Sequence, residues 1–444
     1  MRTPMRVLAT LAVIPALAIA GCGGGGEEQA AETPEGTPQE QESGVSGTVR
    51  VTGVWTGAEQ KSFQAVLDGF TEKNPDVNVK YNPGGDQLPT VLSTAVEGGN
   101  PPDIAFIAQP GLVQEFADKK ALKPLDFAED AMTENFSEDI RKLGTFNGEQ
   151  YGMLFKGANK STMWFNRQVL EDAGVEPPAT WEELQEAAET IQASGVPAYS
   201  IAGADGWTLT DMFENIYLRS AGPEKYDQLA KHEIKWTDPS VKDTLGEMAK
   251  VFGDEENIAG GTRGALQTDF PKSVNQVFAS EPDAALVFEG DFVQGVIEEA
   301  GAEEGTYGVE PFPSLGNTEN VVVGGGDMMV MFKDSPAGQA LAKYLATPEA
   351  AEIWAKRGGF ASPNQNLDAE TYPDEITRGT AGALAEAEVF RFDMSDLAPA
   401  SFGGTPGAGE WKILQDFLSN PEDVDGTARK LEKAAAKAFR GNKQ

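Results

Sequence analysis

Between residues 48 and 107 the apolar residues switch repeatedly between two periods, and that switching constrains the fold more than any other feature of the chain. Thr48-Val49-Arg50-Val51-Thr52-Gly53-Val54-Trp55 alternates apolar and polar residues as a strand does. After a turn at Thr56-Gly57, Phe63, Val66, Leu67 and Phe70 recur at helical spacing until Asn74-Pro75 stops them. Val77, Val79 and Tyr81 alternate again, Leu88, Val91, Leu92, Ala95 and Val96 give a second helix, and Gly98-Gly99-Asn100-Pro101-Pro102 turns the chain into Ile104-Ala105-Phe106-Ile107. The order β-α-β-α-β calls for an α/β fold with a mostly parallel sheet covered on both faces. Ligands on such sheets sit beyond the carboxyl ends of the strands, here Trp55 to Glu59 and Ala108 to Pro110.

At 444 residues the chain exceeds one ordinary core, so two domains are expected. The formal charge of -35 argues against nucleic acid and against electrostatic attachment to anionic lipid. One cysteine leaves none for disulfides or a thiolate metal cluster, and one histidine removes histidine-rich metal sites and leaves a serine or cysteine triad only His232 to use. Within Lys231-His232-Glu233-Ile234-Lys235-Trp236 that histidine reads as a solvated surface residue. Gly324-Gly325-Gly326 lacks a helix-opening phosphate-loop pattern, and no dinucleotide, EF-hand or zinc spacing is present, so neither cofactor nor metal is expected.

The amino terminus carries Arg2 and Arg6, an apolar run from Val7 to Ala20 too short to span a bilayer comfortably, and then Leu17-Ala18-Ile19-Ala20-Gly21-Cys22. This resembles the lipobox of bacterial lipoproteins. The resemblance implies a signal peptide over 1–21, cleavage before Cys22, lipidation of its thiol, and anchoring on the extracytoplasmic face of the cell membrane. Residues 22–47 are rich in glycine, proline, glutamate and glutamine, with no aromatic residue, lysine or arginine. Such a segment cannot bury a core and reads as a flexible acidic tether, with a span on the order of 25 to 30 Å.

Further pieces carry a second resemblance. Asn100-Pro101-Pro102-Asp103-Ile104, Leu122-Lys123-Pro124-Leu125-Asp126, Gly148-Glu149-Gln150-Tyr151-Gly152, Trp164-Phe165-Asn166-Arg167 and Ala173-Gly174-Val175-Glu176-Pro177-Pro178 occur in that order, followed late in the chain by Gly325-Gly326-Asp327, Tyr344-Leu345-Ala346-Thr347-Pro348-Glu349 and Gly358-Gly359-Phe360-Ala361-Ser362-Pro363-Asn364. Together they are similar to the extracellular solute-binding proteins of ABC sugar importers, the family that includes the maltose-binding proteins, and within it to the actinobacterial alpha-glucoside type. The resemblance implies a monomeric two-lobe fold with mixed sheets, one lobe from 46–156 plus 325–361 and the other from 157–324 plus 362–444. It places crossovers near Lys156 to Ala158, near Val323 to Gly325 and after about Phe360. Glycines at Gly157 and Gly324 to Gly326 suit backbone that changes conformation on closure.

Local chemistry accounts for several pieces independently. Thr180 and Glu183 form a capping box ahead of a helix carrying Leu184, Ala187, Ala188 and Ile191, which makes Trp181 a packing residue. Pro348 starts a helix that Gly358-Gly359 ends. Trp164 reads as core of a second sheet, and the last helix docks through Leu431, Ala435 and Phe439.

A sugar needs flat aromatic faces and fixed hydrogen-bonding groups around its edge. Candidates at strand ends and crossovers are Trp55, Glu59, Gln109, Gly326 and Asp327 on one side, Lys156 and Asn159 at the first crossover, and Trp207, Glu289, Gly290, Asp291, Phe292 and Trp411 opposite. Trp55 reads equally well as core, and Asp327 as a cap or turn. Glu289 and Asp291, two residues apart, cannot alone flank a glycosidic bond as a hydrolase requires. The expected function is therefore capture of a carbohydrate, an alpha-glucoside oligosaccharide, for delivery to the transmembrane subunits of an ABC permease, without catalysis. The acidity leaves a polyamine or other cationic solute as the alternative ligand, and a glycoside hydrolase as a third class.

Overall fold

The structure, a computed structural model, describes residues 44–303, 305–316 and 320–441. The expected signal peptide, the expected lipobox with Cys22 and the expected tether as far as Ser43 lie outside the described residues. The described residues hold β1 (Gly47–Gly53), β2 (Val77–Pro83), β3 (Ile104–Ile107), β4 (Thr145–Phe146), β5 (Glu149–Gln150), β6 (Gly152–Asn159), β7 (Thr162–Asn166), β8 (Leu286–Glu289), β9 (Tyr307–Pro311), β10 (Val321–Met331) and β11 (Val389–Phe392).

The first sheet has the order β11-β10-β3-β1-β2, with β6 also paired to β10. Its β1, β2 and β3 are parallel, joined by the helices Gly57–Lys73 and Leu88–Glu97, as the switching periods require. β10 joins β3 antiparallel, which makes the sheet mixed. The second sheet, β8-β7-β9, is antiparallel throughout. The architecture is two α/β lobes.

Two aromatic cores hold the sheets. Trp55, Phe63, Phe106, Phe155, Trp354 and Phe360 pack on the first, with ring centroids 4.7 to 6.2 Å apart. Phe213, Tyr217 and Trp236 pack beside the second, and Trp181 stacks on Phe312 at 5.7 Å. Trp164 and its neighbours Met163 and Phe165 are all buried because both faces of the second sheet are covered. The Thr180–Glu183 capping box is formed, and Leu431 and Ala435 are buried in the docked terminal helix.

Strands β6 and β10 run side by side between the two cores. Their ladder carries a bulge: Lys156 opposes Asp327, but Leu154 opposes Met328, leaving Phe155 as the extra residue. A bulge re-aims the side chains at its edge, and Lys156 and Asp327 both face the cavity described below. Gly324, Gly325 and Gly326 all lie inside β10, and none has a positive φ. They serve close approach: a Cβ on Gly326 would lie 2.4 Å from the Lys156 carbonyl, and one on Gly325 2.9 Å from the Lys160 side chain.

His232 also departs from expectation. Its backbone takes φ 52° after the helix Pro223–Ala230, which turns the ring inward against Phe439 at 5.2 Å and to within 3.2 Å of Glu432. It is a partly buried tie between the terminal helix and the rest of the fold.

Candidate functional site

Where the carboxyl ends of β1 and β3 meet β6 and β10, a cavity of about 370 Å³ opens. Of the residues expected from sequence, Trp55, Glu59, Gln109, Lys156, Trp207, Phe292, Gly326, Asp327 and Trp411 line it. Asn159, Glu289, Gly290 and Asp291 do not. Asn159 is a buried strut whose Nδ2 donates to the Thr380 carbonyl and whose Oδ1 accepts from the Ser161 amide. Asp291 accepts from the Asn159 amide at 3.1 Å, and Glu289 ends β8 beside Asp211 and lines a separate small pocket. The Gly290 carbonyl accepts from Trp164.

One wall is assembled from satisfied groups. Trp55 follows β1 and is only 1% exposed, its ring held by Phe63, Phe106 and Trp354 and its Nε1 donating to Asp327 Oδ2 at 2.8 Å. It is core with one edge on the cavity, and no open stacking face. Lys156, 2% exposed, places Nζ 3.1 Å from Glu59 and 5.3 Å from the Phe292 ring. Burial alone would lower its pKa, but Glu59, Asp327 and Asp291 outweigh it and keep the ammonium charged. Burial pushes Asp327 up to about 6, against the pull of Lys156.

The opposite wall is less committed. Trp207 opens the helix Trp207–Ala221, is half-buried, and packs with Phe270 and Phe292 at 5.5 and 6.0 Å as an aromatic corner. Gly206, at φ 84°, admits Trp411 beside it, because a Cβ there would lie 2.8 Å from the Trp411 Cβ. Trp411 is 3% exposed and its Nε1 has no protein partner; across the cavity the Oε1 of Gln109, 6% exposed, also has none. Both atoms are buried, so the cavity wall carries one unsatisfied donor and one unsatisfied acceptor. A buried polar group without a partner costs about 1 to 3 kcal/mol, which a ligand that satisfies it recovers.

The sequence reading missed Asp86, Lys160, Asp205, Asp269, Phe270 and Asp396, which line the same cavity. Lys160 lies 3.1, 2.5 and 3.6 Å from Asp211, Asp393 and Asp396 and 5.8 Å from the Trp207 ring. Burial opposes its charge, but the three carboxylates hold its pKa well above the ordinary value. Burial in turn pushes Asp211 up to about 8, Lys160 opposing; Asp393 stays well below the carboxylate range, since Lys160 and neighbouring donors overcome its burial. Lys160 therefore fixes the charge of the floor under Trp207. Among the described residues no group of acidic, histidine or cysteine side chains converges to hold a metal ion.

The cavity is thus walled by aromatic rings and by polar groups without a protein partner. The family model for bacterial extracellular solute-binding proteins matches residues 55–352. The chain belongs to that family. It is 33% identical to the osmoprotective compounds-binding protein GgtB of Synechocystis sp. over 87% of this chain and 93% of that protein. It is 31% identical to the alpha-glucosides-binding periplasmic protein AglE of Rhizobium meliloti over 86% of this chain and 85% of that protein. Among solved structures, the bacterial solute receptor AcbH, described as preferring β-D-galactopyranose, superposes with a TM-score of 0.77 at 20% identity, covering 88% of this chain and 99% of that one. A chitin oligosaccharide binding protein gives 0.77 and 20%, covering 89% and 100%. The chain is thus the solute-binding component of an ABC transporter and acts outside the cytoplasm. No helix among the described residues is long and apolar enough to cross a membrane.

Proposed function

We propose that this protein captures an alpha-glucoside, or a closely related polyhydroxy solute, in the cleft and delivers it to its permease while anchored through a lipid on Cys22. The observation that carries the reading is the second wall: a half-buried Trp207 ring beside an unpartnered Trp411 Nε1, facing an unpartnered Gln109 Oε1. A hexose presents an apolar ring face and a rim of hydroxyls, and the cavity combines a ring and a donor on the second wall with an acceptor across from them. The binding preferences named for GgtB and AglE support the choice of solute. In this reading the lobes are 46–156 plus 325–361 and 157–324 plus 362–444, the receptor is a monomer, and no bond in the solute is broken.

One observation favours a second ligand class. Glu59, Asp86, Asp205, Asp269, Asp327 and Asp396 line the cavity against only Lys156 and Lys160, which suits a polyamine. A thermal-shift screen separates the two. A ligand at a hundred times its dissociation constant adds about 2.7 kcal/mol to stability. Shifts with alpha-linked glucosides and none with putrescine or spermidine are expected; the reverse pattern moves the reading to the cationic class. Incubating an alpha-linked disaccharide with pure protein tests for hydrolysis, and intact recovery is expected.

A further inference from the structure

We propose that Gly404 is the positioning residue for the cavity's acceptor: the absence of a side chain there lets the Gln109 amide lie where a solute hydroxyl donates to its Oε1. The inference rests on the reading that the solute binds in this cavity. Gln109 sits at the amino end of the helix Pro110–Asp118, is buried, and has no protein partner for Oε1. Its side chain packs against Gly404. A Cβ at 404 would lie 2.9 Å from Gln109 Cγ, 3.5 Å from Cδ and 3.9 Å from Cβ, and these three atoms are its nearest neighbours. Non-bonded carbons rest about 3.5 to 4.0 Å apart, so at 2.9 Å the Gln109 side chain has to move. Gly404 has φ -140°, outside the left-handed region, so the contact and not the backbone requires glycine.

The displacement falls on Gln109 because the segment carrying Gly404 is held on both sides. The Ala400 amide donates at 3.0 Å to Glu115 Oε1 on the helix Pro110–Asp118, and a Cβ on Gly111 of that helix would lie 2.0 Å from the Ala398 carbonyl. On the other side, a Cβ on Gly403 would lie 1.9 Å from the Ser395 carbonyl. Backbone packed this closely has no room to retreat, whereas a glutamine side chain can change rotamer, and its amide then leaves its present place. The same segment runs on to the donor. Thr405 Oγ1 donates to the Ala400 carbonyl at 2.6 Å, a Cβ on Gly409 would lie 2.0 Å from the Phe402 carbonyl, and Trp411 follows two residues later. Residues 398–411 thus set both the acceptor and the donor. An acceptor fixed in place favours a solute with a hydroxyl at that position over one that lacks it.

The test is a double-mutant cycle on the full chain, read by calorimetric titration with the alpha-linked glucoside that binds the wild type most tightly, and by thermal melts without ligand. Gln109→Ala removes the acceptor together with the atoms that a Cβ at 404 would strike. Gly404→Ala and Gln109→Ala are each expected to weaken binding about fivefold, and the double variant no more than Gln109→Ala alone. Without ligand, Gly404→Ala is expected to lower the melting temperature in the wild-type background and to leave it unchanged in the Gln109→Ala background. If Gln109→Ala weakens binding and Gly404→Ala does not, the positioning role is overturned and the cavity reading stands. Losses that multiply in the double variant, or a melting temperature lowered equally in both backgrounds, also overturn it. Wild-type affinity in Gln109→Ala, or no glucoside bound by the wild type, removes the acceptor assignment itself and the proposal with it.

Discussion

The two walls of the cleft contain similar residues used in opposite ways. On the first, Trp55, Asp327, Lys156 and Glu59 satisfy one another, and the tryptophan is sealed among Phe63, Phe106 and Trp354. On the second, Trp207 keeps part of its ring open and Trp411 keeps a free donor. A group whose hydrogen bonds are spent within the protein contributes shape and rigidity, whereas one with unspent capacity discriminates between solutes. The contrast teaches that a tryptophan in a binding cleft is not thereby a stacking platform: what surrounds its ring and its N–H decides.

The largest expected effect breaks the floor beneath the second wall. Lys160→Met leaves Asp211, Asp393 and Asp396 without their counter-ion and should cost about 3 to 5 kcal/mol in chemical denaturation. A loss under 1 kcal/mol would show that the cluster is solvated. Trp55→Ala should cost a similar 3 to 5 kcal/mol of stability through its cavity. Trp207→Ala should instead spare stability and remove about 2 kcal/mol of binding energy, on the order of thirtyfold in affinity. Equal effects of these two tryptophan substitutions on denaturation midpoints would dissolve the distinction between the walls. Trp411→Phe keeps the packing but deletes the donor, and should cost about 1 kcal/mol, roughly fivefold in affinity by calorimetry.

Much of this fold can be read from residues alone, because the first sheet announces itself in local periods: Val49 and Val51 point into one core while Phe63, Val66 and Phe70 close it from the following helix. The Thr180–Glu183 capping box is equally local. What was not legible depends on distance along the chain. Lys160 follows Asn159 in no periodic pattern, and its partners Asp211 and Asp393 lie 51 and 233 residues away. Asp86 in Gly84-Gly85-Asp86 and Asp205 in Ala204-Asp205-Gly206 read as ordinary turn residues, since only the tertiary fold brings them to one cavity. Trp55 stood undecided between core and contact for the same reason: its aromatic neighbours Phe155, Trp354 and Phe360 come from remote segments. Glu289 and Asp291 were legible as a strand end but not as groups turned away from the cavity lining, because a register of one residue sets which way they point.

A smaller effect concerns pH. Burial raises Asp211 to about 8 and Asp291 and Asp327 to about 6, above the unfolded value near 4. The folded form therefore binds more protons, and melting temperature should rise as pH falls from about 8 towards about 5. Asp327→Asn, which keeps an acceptor for Trp55, should flatten part of that slope; a slope unchanged by the substitution would place the titration elsewhere.

The most direct test of the central claim is calorimetric titration of an alpha-linked glucoside series against the wild type and Trp207→Ala. Saturable one-to-one binding to the wild type, weakened about thirtyfold by the substitution, is the predicted result. Sugar binding of equal affinity in both proteins would contradict the assignment of recognition to the second wall.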